Sequence, residues 1–263
     1  VPPGTWSDDG AQGLCLLDTL LECGRLDLDA LAARLLDWVR HGFMAVDNCV
    51  FDCGIQTSQA LRNLEAGEPP TRSGPASERA NGNGSLMRVL PLALWHQGAD
   101  TELVADARAQ SRVTHGHLRS QLCCALYCLW ARRTLDESAA PWRDAVAALR
   151  CLYPEDTPER AEIEDVMRPD EPARGQGSGY VLDCLMSARF AVESYDSYEE
   201  TVKAAILLGD DTDTTAAVAG GIAGIRAGVQ GIPERWRRDL RGRELFEPLL
   251  RRLREHAGKD PCS

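Results

Sequence analysis

Two short acidic segments, one near each end of the chain, carry the residues best suited to chemistry. The first is Trp6–Asp9 and the second is Gly209–Thr215, which contains Asp210, Asp211 and Asp213. Each directly precedes a predicted helix, and Ser, Thr and Asp are favoured there because they accept hydrogen bonds from free amides. Capping accounts for one or two acids per helix start. It does not readily account for three carboxylates so close together.

A metal site is the alternative to capping for these carboxylates. The residues from Ala216 onward are almost entirely Ala, Gly, Val and Ile, which predicts a buried helix. Several carboxylates at its buried start would repel one another unless cations neutralise them. Carboxylate and hydroxyl oxygens without nearby His or Cys suit Mg²⁺ or Mn²⁺ better than zinc. Two sets of acids favour two ions over one.

A third segment, Asn81–Arg88, has the sequence NGNGSLMR and is predicted to be a loop that runs into a helix. Exposed amides at such a helix start can bind an anion, and Arg88 is expected to add positive charge. Asn-Gly sequences are also simply turns, and this segment alone does not decide between the two interpretations.

Helical periodicity dominates the elements that must position these residues. Apolar residues at helical spacing start after Asp27, a predicted N-cap, and end at Gly42; Ser197 and Glu200 form a predicted capping box. A further helix is predicted to place Leu118, Leu122, Leu126 and Leu129 on one face. Strand-like alternation is nearly absent, so the sequence predicts an all-α fold.

Two Gly- and Pro-rich segments, residues 66–84 and 168–179, are predicted loops. Either could link two domains, but each leads into a segment with candidate site residues, so functional loops on one domain over residues 1–263 are favoured. The spacing of Gly220, Gly224 and Gly228 predicts another backbone packed closely against their helix.

The overall composition excludes several classes of protein. The chain is 44% hydrophobic and 26% charged with a net charge of −11, which disfavours wrapping of nucleic acid. No signal peptide or membrane-spanning run is recognised. The ten cysteines form no CxxC pair, and Cys49/Cys53 and Cys124/Cys128 match one helix face, so buried free thiols in a cytoplasmic protein are expected.

Taken in order, the motifs of the chain resemble the ADP-ribosylglycohydrolase family. The resemblance spans nearly the whole sequence, and its longest motif, near the second acidic segment, is highly specific. It implies an all-α, single-domain orthogonal helical bundle with a di-metal site. The matching segments are WSDDGAQ at 6–12, FDCGIQT at 51–57, NGNGSLMR at 81–88, VTHGH at 113–117, GSGYVLDCLMSA at 177–188, LGDDTDTTAAVAGGIAGIRAG at 208–228 and GIPERW at 231–236.

The resemblance implies roles for individual residues. Two ligand sets, one in each acidic segment, would bind two Mg²⁺ or Mn²⁺ ions, with Asp213 bridging them. Ser7 stands where the family more often has Thr, and Asp210, where the family usually has Gly, is not expected to be a ligand. Asp52 matches an aspartate proposed as the general base in arginine-specific members. The implied metal ligands are Ser7, Asp8, Asp9, Asp211, Asp213 and Thr214; the implied substrate-binding residues are Asn83, Gly84, Ser85, Met87, His115, Gly179, Tyr180 and Val181; and the implied catalytic residues are Asp52, Asp8, Asp9 and Asp213.

The implied function is metal-dependent hydrolysis of the bond between ADP-ribose and a protein side chain, most simply arginine, with ADP-ribose as the product. The alternatives are an ADP-ribose-binding pseudoenzyme and a hydrolase of serine-linked or O-acetyl ADP-ribose. An all-helical enzyme of prenyl diphosphates is disfavoured, since neither acidic segment has DDxxD spacing and only 6% of residues are aromatic. A helix and a Gly-rich loop that the family carries before the first Asp pair have no counterpart in the six residues before Ser7.

Overall fold

Helices make up the architecture of the computed structural model, which describes residues 1–258. A 3₁₀ turn at Val46–Asn48 and a π-helical segment at Glu162–Met167 interrupt the series. No β-strand occurs within the described range, which confirms the all-α prediction. The α-helices are α1 (Asp8–Cys23), α2 (Leu28–His41), α3 (Ile55–Glu65), α4 (Leu90–Trp95), α5 (Asp100–Arg112), α6 (Leu118–Leu135), α7 (Pro141–Cys151), α8 (Pro158–Ala161), α9 (Val181–Ser194), α10 (Tyr198–Leu207), α11 (Thr212–Gly231), α12 (Glu234–Asp239) and α13 (Arg243–His256).

Helix α6 lies at the centre of the hydrophobic core. It packs against α4, α5, α7, α9 and α11, and every residue from Arg119 to Ala131 is buried. The sequence predicts one apolar leucine face for this helix. The structure instead buries it on all sides, because Cys123, Cys124 and Ala125 fill the contacts with the surrounding helices.

Two predicted helix starts have the expected caps. The Asp27 carboxylate accepts a hydrogen bond from the amide of Ala30 at 3.0 Å, and α2 ends at Gly42 in a left-handed conformation. The Ser197 hydroxyl accepts a hydrogen bond from the amide of Glu200 at 3.2 Å and donates to the Glu200 carboxylate at 2.7 Å. In both helices the first free amides are satisfied locally.

Helix α11 contains the glycine stripe, but no backbone packs there. A Cβ at Gly220 would lie 3.4 Å from the hydroxyl oxygen of Tyr198, and a Cβ at Gly224 would lie 3.6 Å from a ring carbon of the same tyrosine. Gly228 faces open space at φ +64°. The prediction of a close backbone is therefore wrong, since a tyrosine side chain from α10 covers this face.

The cysteine predictions are only partly correct. Cys124 and Cys128 are buried on α6, but Cys49 and Cys53 lie between the 3₁₀ turn and α3, so they share no helix face. Cys23, Cys49 and Cys151 are exposed, so the expectation of buried thiols is wrong at these three positions. All nine cysteines of the described range are free, and Cys262 lies outside it.

Both predicted loops are irregular and pack against the helices. The Ser73 hydroxyl donates to the carbonyl of Val113 at 2.8 Å, and the Trp142 indole donates to the carbonyl of Pro169 at 2.9 Å. Such contacts are expected of loops that belong to the helical body. Within residues 1–258, no helix combines the length and apolarity needed to cross a membrane.

Candidate functional site

The two acidic helix starts come together. The Ser7 hydroxyl, just before α1, donates to a carboxylate oxygen of Asp213 on α11 at 2.8 Å, across 206 residues of sequence. The Thr214 hydroxyl donates to the Asp9 carboxylate at 3.4 Å. The first turns of α1 and α11 therefore form one cluster of carboxylates and hydroxyls.

The N-cap residues of these two helices do not cap them. Neither Ser7 nor Asp211 accepts a side-chain hydrogen bond from a backbone amide of its own helix start. Ser7 instead donates to Asp9 and Asp213, and Asp211 accepts a hydrogen bond from the Asn83 side chain at 2.8 Å. Capping, the simpler interpretation of these residues, does not describe what their side chains do.

Burial makes the charges of this cluster costly. It raises the pKa of Asp8 to about 8, with the Asp9 carboxylate as the next cause, and it raises the pKa of Asp9 to about 7, with Asp213 next. The pKa of Asp211 is also raised, mainly by burial. These carboxylates have no Lys or Arg close enough to form a salt bridge in the described part of the chain.

One carboxylate oxygen of the cluster has no hydrogen-bond partner among the residues that the structure describes. Oδ1 of Asp9 is buried and has no hydrogen-bond partner among residues 1–258. No three His, Cys, Asp or Glu side chains of this range already stand close enough together to hold one ion. The donor types are nonetheless all oxygen, and the charge is uncompensated, so the residues fit hard divalent cations in chemistry.

A cavity of about 420 Å³ opens beside the acidic cluster. Its walls come from the starts of α1, α3 and α11, from the segment before α3, from the Asn81–Arg88 loop, and from the loops before α6 and α9. Nine of the sequence-predicted site residues line it: Asp8, Asp52, Asn83, Gly84, Met87, His115, Gly179, Asp211 and Thr214. Ser7, Asp9 and Asp213 are not in its lining; they join it through the contacts described above.

Backbone hydrogen bonds tie the loops of the cavity together. The amide of Asn83 donates to the carbonyl of Gly179 at 3.0 Å, and the amide of Val181 donates to the carbonyl of Asn81 at 2.9 Å. The amide of Asp211 donates to the carbonyl of Gly177 at 2.8 Å. The Asn81–Arg88 segment, called the Gly/Asn loop from here on, is therefore hydrogen-bonded to the loop before α9, and that loop is hydrogen-bonded to the start of α11.

Two glycines allow side chains to approach the Gly/Asn loop. A Cβ at Gly84 would lie 2.9 Å from the His115 ring and 3.2 Å from the Thr57 hydroxyl. At Gly82, whose amide donates to the Gln56 side-chain oxygen at 2.6 Å, a Cβ would lie 2.5 Å from that oxygen. Burial, with a smaller contribution from Arg88, lowers the pKa of His115 to about 3, so this ring is neutral near pH 7.

Several predicted residues lie elsewhere. Ser85 is fully buried, with its hydroxyl 2.9 Å from that of Ser111, and Val181 is fully buried in the core. Tyr180 accepts a hydrogen bond from Arg119 at 2.9 Å and lines a separate cavity of about 490 Å³. Arg88, predicted to add charge to the loop surface, is fully buried behind the loop.

The rim of the cavity carries an acid beside an apolar residue. Asp52 is exposed and adopts φ +54°, and Ile55, the first residue of α3, is 87% exposed. Sequence reasoning recognised the FDCGIQT segment but assigned only Asp52. It missed Ile55, Gln56 and Thr57, which also line the cavity. Their place in that matched segment is the only signal that could have identified them.

Comparisons with known proteins all point to one family. The family model described as ADP-ribosylglycohydrolase matches residues 1–261. ADP-ribosylarginine hydrolase Tri1 of Pseudomonas putida is 32% identical over 97% of this chain and 67% of its own length. ADP-ribosyl-[dinitrogen reductase] glycohydrolase of Rhodospirillum rubrum is 29% identical over 89% of this chain and 73% of its own. A solved structure titled ADP-ribosylglycohydrolase-related protein complex superposes with a TM-score of 0.76 at 32% identity, covering 98% of this chain and 83% of that one.

Proposed function

Because the chain belongs to the ADP-ribosylglycohydrolase family, we propose that it is a hydrolase that releases ADP-ribose from a modified protein, with arginine as the linked residue. The observation that carries the proposal is the meeting of two acidic helix starts, with an unpartnered Asp9 oxygen, beside a cavity of about 420 Å³. Cavities of this size bind small organic ligands. Two relatives, from Pseudomonas putida and Serratia proteamaculans, are named ADP-ribosylarginine hydrolases, which supports arginine.

We propose that the acidic cluster holds two Mg²⁺ or Mn²⁺ ions. Support comes from the all-oxygen donors and from the raised pKa values of Asp8 and Asp9, since binding of a divalent cation would offset the cost of these buried charges. Lewis acidity toward the ribose diol and the attacking water is the chemistry that two such cations supply when bound. The proposed ligands are Ser7, Asp8, Asp9, Asp211, Asp213 and Thr214.

The Gly/Asn loop is suited to bind the diphosphate group of ADP-ribose. The hydrogen bonds that hold this loop use the amides of Gly82, Asn83, Leu86 and Met87. The amide of Gly84, which lines the cavity, is not used by these bonds and can donate to a phosphate oxygen. Neutral His115 at the same wall can form hydrogen bonds with the nucleotide without adding charge. In a chain of net charge −11, anion binding therefore depends on local amides and cations.

The rim of the cavity is suited to the arginine side of the bond. The exposed Asp52 carboxylate would accept a proton from the attacking water and return it to the leaving guanidine nitrogen as the bond to the anomeric carbon breaks. The sugar would carry oxocarbenium character in this step. Ile55 offers apolar surface to the methylene groups of the modified arginine.

The test is release of ADP-ribose from a protein modified on arginine, compared with one modified on serine, each with Mg²⁺ and with excess chelator. We expect release from the arginine substrate with Mg²⁺, loss of release with chelator, and loss in the Asp213→Ala variant by at least about 10²-fold. Ser197→Ala, a change at a true helix cap, is the matched control and should retain turnover.

The arms of this test separate the alternatives. Binding of ADP-ribose without any turnover would identify a pseudoenzyme, and preference for the serine substrate would overturn the arginine assignment. Near-full activity of Asp213→Ala would contradict the two-metal proposal.

A further inference from the structure

Behind the Gly/Asn loop, Arg88 is fully buried and surrounded by neutral acceptors. Its Nε donates to the side-chain oxygen of Gln110 at 3.0 Å, and its Nη2 donates to the carbonyl of the same residue at 2.9 Å. Nη1 donates to the side-chain oxygen of Gln12 at 3.1 Å and to the carbonyl of Gly84 at 3.3 Å. Every one of these acceptors is neutral, so the buried cation is solvated by dipoles.

The guanidinium group fixes the orientation of the Gln12 amide. An arginine side chain can only donate hydrogen bonds, so Gln12 must turn its oxygen toward Arg88. Its Nε2 then faces Asp8, one helical turn away on α1, and donates to Oδ2 of that carboxylate at 3.4 Å. Gln12 is fully buried, and water therefore does not compete for these bonds.

We propose that Gln12 is a positioning residue, which Arg88 orients so that the Asp8 carboxylate faces the cavity in the orientation that binds a divalent cation. This inference rests on the proposed function. A direct Arg88–Asp8 ion pair would compete with the cation for the carboxylate charge. The intervening amide holds one oxygen of Asp8 and leaves the carboxylate charge available. Residues that orient metal ligands in this way are typically worth about 10- to 100-fold in metal affinity.

The test compares two buried glutamines that share Arg88 as a partner. Gln12→Met and Gln110→Met each remove a side-chain acceptor from Arg88, but only Gln12→Met removes the donor to Asp8. The measurement is Mg²⁺ affinity of the full chain after removal of metal by chelator, by calorimetry and by the Mg²⁺ dependence of the unfolding temperature. We expect Gln12→Met to weaken Mg²⁺ binding by about tenfold or more, and Gln110→Met to change it less than about twofold.

A second variant covers the case in which Gln12→Met does not fold. Gln12→Asn keeps an amide in the interior but is one methylene shorter, so it withdraws the donor from Asp8. It should also weaken Mg²⁺ binding. Wild-type affinity in either Gln12 variant, or an equal loss in Gln110→Met, would overturn the positioning role.

The same measurements distinguish this inference from the proposed function. If the wild-type chain binds Mg²⁺ and releases ADP-ribose, and a Gln12 variant has the same Mg²⁺ affinity as the wild-type chain, only the positioning role is contradicted. If the wild-type chain binds Mg²⁺, and the Gln12 variants bind it more weakly, but no ADP-ribose is released, only the proposed hydrolase activity is contradicted. Absence of Mg²⁺ binding by the wild-type chain contradicts both.

Discussion

Four helices within residues 1–258 have a Ser or Asp at the N-cap, and they fall into two pairs. In α2 and α10 the side chains of Asp27 and Ser197 accept hydrogen bonds from amides of their own first turns. In α1 and α11 the side chains of Ser7 and Asp211 do not; Ser7 donates to the carboxylates of Asp9 and Asp213, and Asp211 accepts from the Asn83 side chain. The residue types are the same, but only the first pair serves the helix it precedes.

The difference shows in the free energy of ionisation. The pKa of Asp27 is lowered, chiefly by the amide of Ala30, so ionisation of this carboxyl is favoured in the folded chain. The pKa values of Asp8, Asp9 and Asp211 are raised, chiefly by burial, so ionisation there opposes folding. A helix start whose acids are destabilising is a better candidate for a ligand site than one whose acids are satisfied.

The largest expected effect separates the two N-cap aspartates. Asp211→Ala should lower turnover of the arginine substrate by at least about 10²-fold, because it removes a proposed metal ligand. Asp27→Ala should leave turnover unchanged and lower the unfolding temperature, because it removes a cap. Initial rates with saturating Mg²⁺ and thermal unfolding of the same samples provide both measurements.

Either of two outcomes would contradict this distinction between Asp27 and Asp211. If Asp27→Ala lost turnover as strongly as Asp211→Ala, the effect would reflect general damage to the fold. If Asp211→Ala mainly destabilised the chain and kept its turnover, Asp211 would be a structural residue like Asp27.

A second prediction concerns stability without metal. Asp9→Asn should raise the unfolding temperature of chelator-treated protein at pH 8, by at least about 2 °C, because it removes a buried charge with an unpartnered oxygen. The same variant should lose the stabilisation that Mg²⁺ gives to the wild-type chain. Calorimetric unfolding with chelator and with Mg²⁺ tests both statements.

The pH dependence of this effect has a definite sign. The folded-state pKa of Asp9 is raised from 3.8 to about 7. The protonated carboxyl therefore contributes fully to the free energy of unfolding below about pH 4, and this contribution is lost as the pH rises toward 7. The gain from Asp9→Asn should therefore be smaller at pH 5 than at pH 8. For Asp27, whose pKa is lowered, the stabilisation is instead lost as pH falls, so Asp27→Ala should be less damaging in acid. The same sign for both variants would contradict the comparison.

The sequence was sufficient to predict several helices, among them α2 and α10 with their caps at Asp27 and Ser197. Periodicity identified α2 between Asp27 and Gly42 because local rules decide both ends of that helix. The meeting of Ser7 with Asp213 was expected from the acidic composition of both segments together with the family resemblance, and the structure shows this contact.

The remaining features depend on packing that no local pattern encodes. Arg88 was expected at the loop surface, but it is buried because two glutamines, 22 and 76 residues away in sequence, provide acceptors for it. The glycine stripe of α11 packs against Tyr198, since α10 places that ring against this face. Side-chain partnerships of this kind follow only from the assembled helices.

The smallest expected effect compares the two N-cap serines. Ser197→Ala should lower the free energy of unfolding by about 1 kcal/mol, the usual cost of losing a serine cap. Ser7→Ala should cost less than about half of that, since the Ser7 hydroxyl caps no backbone amide and Asp9 keeps the Thr214 hydroxyl as a donor when the Ser7 hydroxyl is removed. Equilibrium urea unfolding of chelator-treated protein resolves a difference of this size when both variants share one m-value. Equal costs at the two positions would mean that Ser7 supports its helix as Ser197 does, and the distinction between the two pairs of helix starts would then rest on the aspartates alone.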